Sequence, residues 1–157
     1  MAAPRPARSP RTRGTPRCTA SERRVISGFD HLAITCNDVD ASIAFYASVL
    51  GAELLLADLW HDRKMPVAIM QVGANRLSLH QAAAPAKPHA RTPTPGSVDL
   101  CFRWVGPIKT AVDHLALHDV AVIEGPVPRP ASNGERGTSV YFRDLDGNLL
   151  ELLTLDA

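Results

Sequence analysis

Apolar positions in this chain follow two rhythms, one of period two and one near 3.6, and the rhythms alternate in the same order twice. Phe29 to Cys36 alternates. Leu32, Ile34 and Cys36 lie on one side, with His31, Ala33 and Thr35 on the other, which predicts a strand. Asn37 or Asp38 can cap a helix after it. Val39, Ile43, Phe45, Tyr46, Val49 and Leu50 form the stripe of that helix, which runs to about Leu50 and ends at Gly51. Strands are predicted at Glu53 to Ala57 and Val67 to Val72, separated by a polar segment at 58–64. The turn Gly73-Ala74-Asn75 leads into Arg76 to Gln81, where Leu77 and Leu79 oppose Ser78 and His80.

After a proline-rich stretch at 82–96, the order recurs. Val98 to Trp104 alternates, with Asp99, Cys101 and Arg103 on the polar side. Pro107 can open a helix, with Val112, Leu115 and Leu117 as its stripe. Val120 to Ile123 reads as a short strand and 125–137 as a loop. The chain closes on a hairpin, Thr138 to Leu155, around Asp144-Leu145-Asp146-Gly147-Asn148. Asp-Gly between alternating apolar residues is a strong hairpin signal. Leu149, Leu150, Leu152 and Leu153 place apolar groups on both faces of the last strand, which implies burial. Glu151 sits among them. A carboxylate there is costly unless it is paired, hydrogen-bonded or bound to a metal.

The repeat predicts an α+β fold. One domain at 25–157 would comprise modules 25–83 and 96–157, each a strand, a helix and three strands, joined by a stiff linker at 84–95. It matches His31 with Asp99 on the first strands and His80 with Glu151 on the last. If the halves pack about a pseudo-twofold, these four side chains converge. Two imidazoles and two carboxylates suit one divalent ion such as Zn²⁺, Ni²⁺, Fe²⁺ or Mn²⁺.

Each residue also has a plainer role. Glu151 can be neutralised by Arg103 or Arg143, and the histidines can be hydrogen-bonded strand residues. Asp99 can be a ligand, a group that orients a ligand, or a turn residue. Trp60 and His61 can cover a pocket or lie in a loop. Arg129 and Arg136 can meet an anionic substrate or stay solvated. Tyr141 or Phe142 shares the face of Glu151, according to register. Cys101 reads as a small core residue, and His89, His114 and His118 as surface residues.

Composition narrows the class. The chain has 157 residues, 45% of them hydrophobic and 21% charged, enough for one ordinary core. Net charge is +1, unevenly spread. Residues 1–24 hold seven arginines against the single acid Glu22, a local charge of +6, so the rest carries −5. A mildly acidic body argues against nucleic-acid binding by the folded part. The basic start is expected to be a disordered tail, since Pro4, Pro6, Pro10 and Pro16 oppose an amphipathic presequence helix. No run is long and apolar enough to span a membrane. Cys18, Cys36 and Cys101 form no CxxC unit, so a reducing cytoplasm is the expected location.

FDHLAI (29–34), FYASVLG (45–51), LSLHQ (77–81) and YFRDLDGNLLEL (141–152) resemble the vicinal oxygen chelate superfamily. Its members include glyoxalase I, extradiol dioxygenases, fosfomycin-resistance transferases and bleomycin-resistance proteins. PGSVDLCF (95–102), EGPVPR (124–129) and SVYFRDLDGNLLEL (139–152) resemble more closely its small glyoxalase-domain proteins of unassigned substrate, some labelled virulence proteins. The resemblance implies paired βαβββ modules in a U-shaped mixed sheet around a metal, helices outside, and a homodimer with or without exchange of modules between chains. It implies metal positions at His31, His80, Asp99 and Glu151. Asp99 stands where histidine is usual. The expected activity is a metal-dependent lyase, isomerase or dioxygenase binding vicinal oxygens of a small molecule. Glu151 would move a proton, and Trp60, Arg129 and Tyr141 would be candidate substrate contacts. The rival expectation is a metal-free binding protein of the bleomycin-resistance kind.

Overall fold

The computed structural model describes residues 25–156, so the expectation for the basic tail at 1–24 lies outside them. The first module comprises β1 (Leu32–Cys36), α1 (Val39–Leu50), β2 (Glu53–Leu55), α2 (Ala57–His61), β3 (Ala68–Val72) and β4 (Asn75–Gln81). The second comprises β5 (Asp99–Arg103), α3 (Ile108–Leu117), β6 (Glu124–Pro130), β7 (Arg136–Arg143) and β8 (Leu149–Thr154). Each forms its own four-stranded mixed sheet, in the orders β1-β4-β3-β2 and β5-β8-β7-β6. Within each sheet the first and last strands of the module are parallel neighbours, and the other pairs are antiparallel. These are paired βαβββ modules.

Local chemistry sets the element ends. The Asp38 side chain accepts from the Ala41 amide at 3.0 Å and starts α1. Gly51, at φ 61°, ends it in the left-handed conformation that glycine adopts without a Cβ clash. Ile34, Cys36, Leu77, Leu79, Val140, Phe142, Leu150 and Leu152 face the helices and belong to one core cluster that spans both modules.

Two elements differ from the sequence expectation. The segment after β2 contains a short helix, α2, because Trp60 turns inward: it is 7% exposed, and its Nε1–H donates to Asp40 Oδ1 at 2.8 Å. The expected strand at 120–123 is irregular, and the expected loop carries β6 instead, paired with β7. Its prolines, Pro126, Pro128 and Pro130, fall at alternate positions of an edge strand, where only every second amide is needed by the neighbour. Gly125 lies at the irregularity in that pairing. Its φ is 105°, and a Cβ there would come within 2.5 Å of the Ser139 carbonyl oxygen.

Polar contacts join the modules. The Tyr46 hydroxyl, fully buried on α1, donates to Asp144 Oδ2 at 2.6 Å. Burial, then the Asp144 carboxylate, hold the Tyr46 hydroxyl far above its ordinary pKa. Asp144 also accepts from the Asp146 and Asn148 amides and from Asn148 Nδ2. Asn148, itself buried, accepts from the Val98 amide at 3.0 Å. The hairpin turn is thereby tied both to the first module and to the start of β5, which carries Asp99.

Candidate functional site

The first module presents an open face built from alternate residues of β1 and β4. His31 stands just before β1, followed on that face by Ala33 and Thr35. Ala33 lies beside Ser78 and Thr35 beside His80 across the parallel pair. His31 Nδ1 is 2.8 Å from Asp30 Oδ1. A carboxylate only accepts, so Nδ1 carries a proton, and in the neutral ring Nε2 keeps a lone pair. The imidazole in turn holds the Asp30 carboxyl below its usual range. His80 Nε2 lies 3.3 Å from Ser78 Oγ. Burial, then the proximity of His31 and His89, lower the basicity of His80. His31 and His80 line one cavity of about 390 Å³.

The second module presents the matching face. Asp99 and Arg103 are exposed on β5; Cys101 between them is exposed as a residue but has its thiol partly desolvated against the sheet, and Glu151 lies directly beside it on β8. Ser139 Oγ donates to Glu151 Oε1 at 2.5 Å. Neither Arg103 nor Arg143 is its partner; Arg143 instead donates to the Gly147 carbonyl. Burial within the sheet, then the charge of Glu151, push the Cys101 thiol up to about 12. Register places Tyr141 opposite Glu151, while Phe142 points into the core. Arg129 Nε donates to the Tyr141 hydroxyl at 3.0 Å, and its Nη2 donates to Glu124 Oε1 at 2.7 Å. Burial raises the Tyr141 pKa and Glu151 adds to the rise, against the opposing pull of Arg129.

Register corrects the internal match. Leu32 pairs with Leu77, and Leu100 pairs with Leu150. With His31 equivalent to Asp99, the counterpart of Glu151 is therefore Ser78, and His80 lies one position further along the same face. Leu77-Ser78-Leu79 and Leu150-Glu151-Leu152 share a Leu-x-Leu pattern, the sequence signal that a match made on residue chemistry passes over.

The arrangement also bears on a metal. His31 and Glu151 have suitable donor atoms, each oriented by a neighbour, Asp30 and Ser139. Among the described residues, however, no three His, Cys, Asp or Glu side chains of one chain come close enough to hold an ion together. The two pairs lie on separate sheets of the chain and do not converge within it. Of the remaining candidates, Tyr141 and Arg129 lie by Glu151. Trp60 is a buried core residue, not a pocket cover, because its indole N–H is consumed by Asp40. A wider crevice of about 620 Å³ between the modules, with Val72, Phe102, Trp104 and His114 in its walls, includes none of the four metal candidates. No helix among the described residues is long and apolar enough to cross a membrane.

Comparison with known proteins supports one family. The Virulence protein STM3117 of Salmonella typhimurium is 38% identical over 132 residues, 84% of this chain and 87% of that one. Its crystal structure superposes with a TM-score of 0.73 at 36% identity, covering 83% of this chain and 98% of the other. The glyoxalase domain-containing protein RDO1 of Mycosarcoma maydis is 39% identical over 127 residues, 81% of this chain and 68% of that one. A lactoylglutathione lyase from Agrobacterium tumefaciens superposes with a TM-score of 0.60 at 26% identity, over 82% of this chain and 94% of the other. The family model for the glyoxalase, bleomycin-resistance and dioxygenase proteins matches residues 28–152, and with the paired modules this shows that the chain belongs to the Glyoxalase/Bleomycin resistance protein/Dioxygenase superfamily.

Proposed function

We propose that this protein is a small-molecule enzyme whose site is completed between two copies of the chain. His31 and His80 of one copy would face Asp99 and Glu151 of the other around a divalent ion. The observation that carries this is the matched preparation of two open faces. His31 is held by Asp30 through Nδ1, and Glu151 is held by Ser139 with Cys101 and Tyr141 beside it. Neither face is complete alone. A divalent ion there would polarise two vicinal oxygens of a substrate and stabilise negative charge developing on them. The chain's own groups would do the rest. Asp30 fixes the His31 tautomer. Ser139 orients Glu151, which would take a proton from the substrate carbon next to the polarised oxygen. Arg129 donates to the Tyr141 oxygen, and the Tyr141 O–H faces Glu151, so the pair would sit together at the substrate. The similarity to a lactoylglutathione lyase favours lyase or isomerase chemistry. We place the protein in the cytoplasm, as a homodimer with a small-molecule substrate.

Metal analysis of protein purified without chelator tests this reading, with His31→Ala and Glu151→Ala beside it. Stoichiometric transition metal in the wild type, lost in both variants, is the expected result. Wild type that carries none and gains none on titration sinks it. A second reading, a metal-free binding protein, is favoured by Ser78: at the position matching Glu151 stands a hydroxyl, a weak ligand for a divalent ion.

A further inference from the structure

The sequence places His89 in a proline-rich connector, where it reads as a surface residue. The structure brings it back over the first module. The connector folds so that Pro88, His89 and Pro93 form one side of the cavity whose other side is His31, Thr35 and His80. Three imidazoles thus border about 390 Å³ of space, a volume within the range of small-ligand pockets.

The tautomers give the cavity a definite character. His89 Nδ1 lies 2.8 Å from the Ala90 carbonyl oxygen. A carbonyl can only accept, so Nδ1 holds the proton and Nε2 presents a lone pair. His31 is set the same way by Asp30. As a neutral ring, His89 therefore offers a nitrogen acceptor between proline rings and the Thr35 hydroxyl. That pattern suits a ligand with an O–H donor on a compact apolar frame.

We propose that His89 is a substrate-binding residue of this face, its Nε2 accepting a hydrogen bond from a hydroxyl of a small hydroxylated molecule. The proposal rests on the reading of the face as a small-molecule site and adds the linker to it. The proline-rich segment is then part of the binding surface as well as a spacer. Module-to-module linkage alone would not require a histidine there.

The test uses the full chain labelled with ¹⁵N in its histidine rings and followed by long-range ¹H–¹⁵N correlation. The His89→Ala spectrum supplies the assignment. The free protein should show His89 protonated at Nδ1 and bare at Nε2. Titration with catechol, and separately with propane-1,2-diol, should move His89 Nε2 together with the His31 and His80 signals. His89→Ala should weaken binding about fivefold, the worth of one neutral hydrogen bond. If His31 and His80 shift while His89 stays fixed and His89→Ala binds equally well, the inference is overturned and the face remains a binding site. If none of the three signals moves with either probe, both are overturned.

Discussion

Ser78 and Glu151 occupy the same place in the two halves of this molecule. Each lies in a Leu-x-Leu triplet on the last strand of its module, in the register that makes His31 equivalent to Asp99. One half thus carries a carboxylate where the other carries a hydroxyl, with His80 the next residue along that face. Ser78→Glu should therefore make the first face a stronger metal binder. Ser78 is 2% exposed, so an unpaired carboxylate there should lower the stability of the metal-free protein by about 3–5 kcal/mol. Ni²⁺ should restore it. Thermal unfolding with and without Ni²⁺ measures both effects. A variant that is destabilised equally in both conditions would count against a metal on this face.

A site shared between copies can be complemented. His31→Ala and Glu151→Ala proteins should each be inactive alone. Unfolded together and refolded, they should recover about a quarter of the wild-type sites, because half of the random dimers hold one intact site of two. Metal content of the refolded mixture is the readout. A mixture as empty as either variant would show that the two residues do not meet across copies.

Glu151 also sets the chemistry of its neighbour. It lies beside Cys101, whose thiol is pushed up to about 12 by burial first and by that carboxylate second. At pH 8 the thiol is therefore almost wholly protonated and slow to alkylate. Glu151→Gln removes the charge but not the burial, so the pKa should fall part of the way. Iodoacetamide labelling of Cys101 at pH 8, read by peptide mass spectrometry, should quicken roughly 3- to 10-fold, since one pKa unit is about tenfold in thiolate. An unchanged rate would mean that the two groups do not interact in solution.

The join between modules rests on Tyr46 and Asp144. Tyr46→Phe keeps the ring and removes only the donor to a carboxylate that also organises the closing turn. The loss should be about 1.5–3 kcal/mol, a hydrogen bond to a charged group, and should lower the Tm by roughly 3–10 °C. Asp144→Asn should cost at least as much, because three turn contacts change with it. Differential scanning calorimetry of both variants decides.

What could be read from the sequence was what is local. Alternation marked β1 and β5, the Asp38 cap and Gly51 bounded α1, and Asp-Gly marked the last hairpin, because each is set by neighbours within a few residues. β6 was missed because its prolines oppose a strand everywhere except at an edge, and edge position is a property of the sheet. The register that pairs Ser78 with Glu151 depends on which strands lie side by side, so residue chemistry alone chose His80. His89 is exposed, as its sequence context suggests, but nothing near it in sequence says that the connector returns to β1 and β4. Trp60 looked like a loop residue because its partner, Asp40, is on another helix.

The alternating prolines of β6 have a consequence for how the molecule meets its neighbours. With Val127 and Arg129 turned to β7, the amides that would point outward belong to Pro126, Pro128 and Pro130, and a proline has no hydrogen to offer. A foreign strand arriving at that rim finds acceptors but no donors, so the sheet cannot be lengthened there by fibre-like stacking. At the far rim of the other sheet, β2 is only three residues long. The molecule is blunted on both outer sides, and the strand borders left for company are β1 and β5, the two that follow from His31 and begin at Asp99.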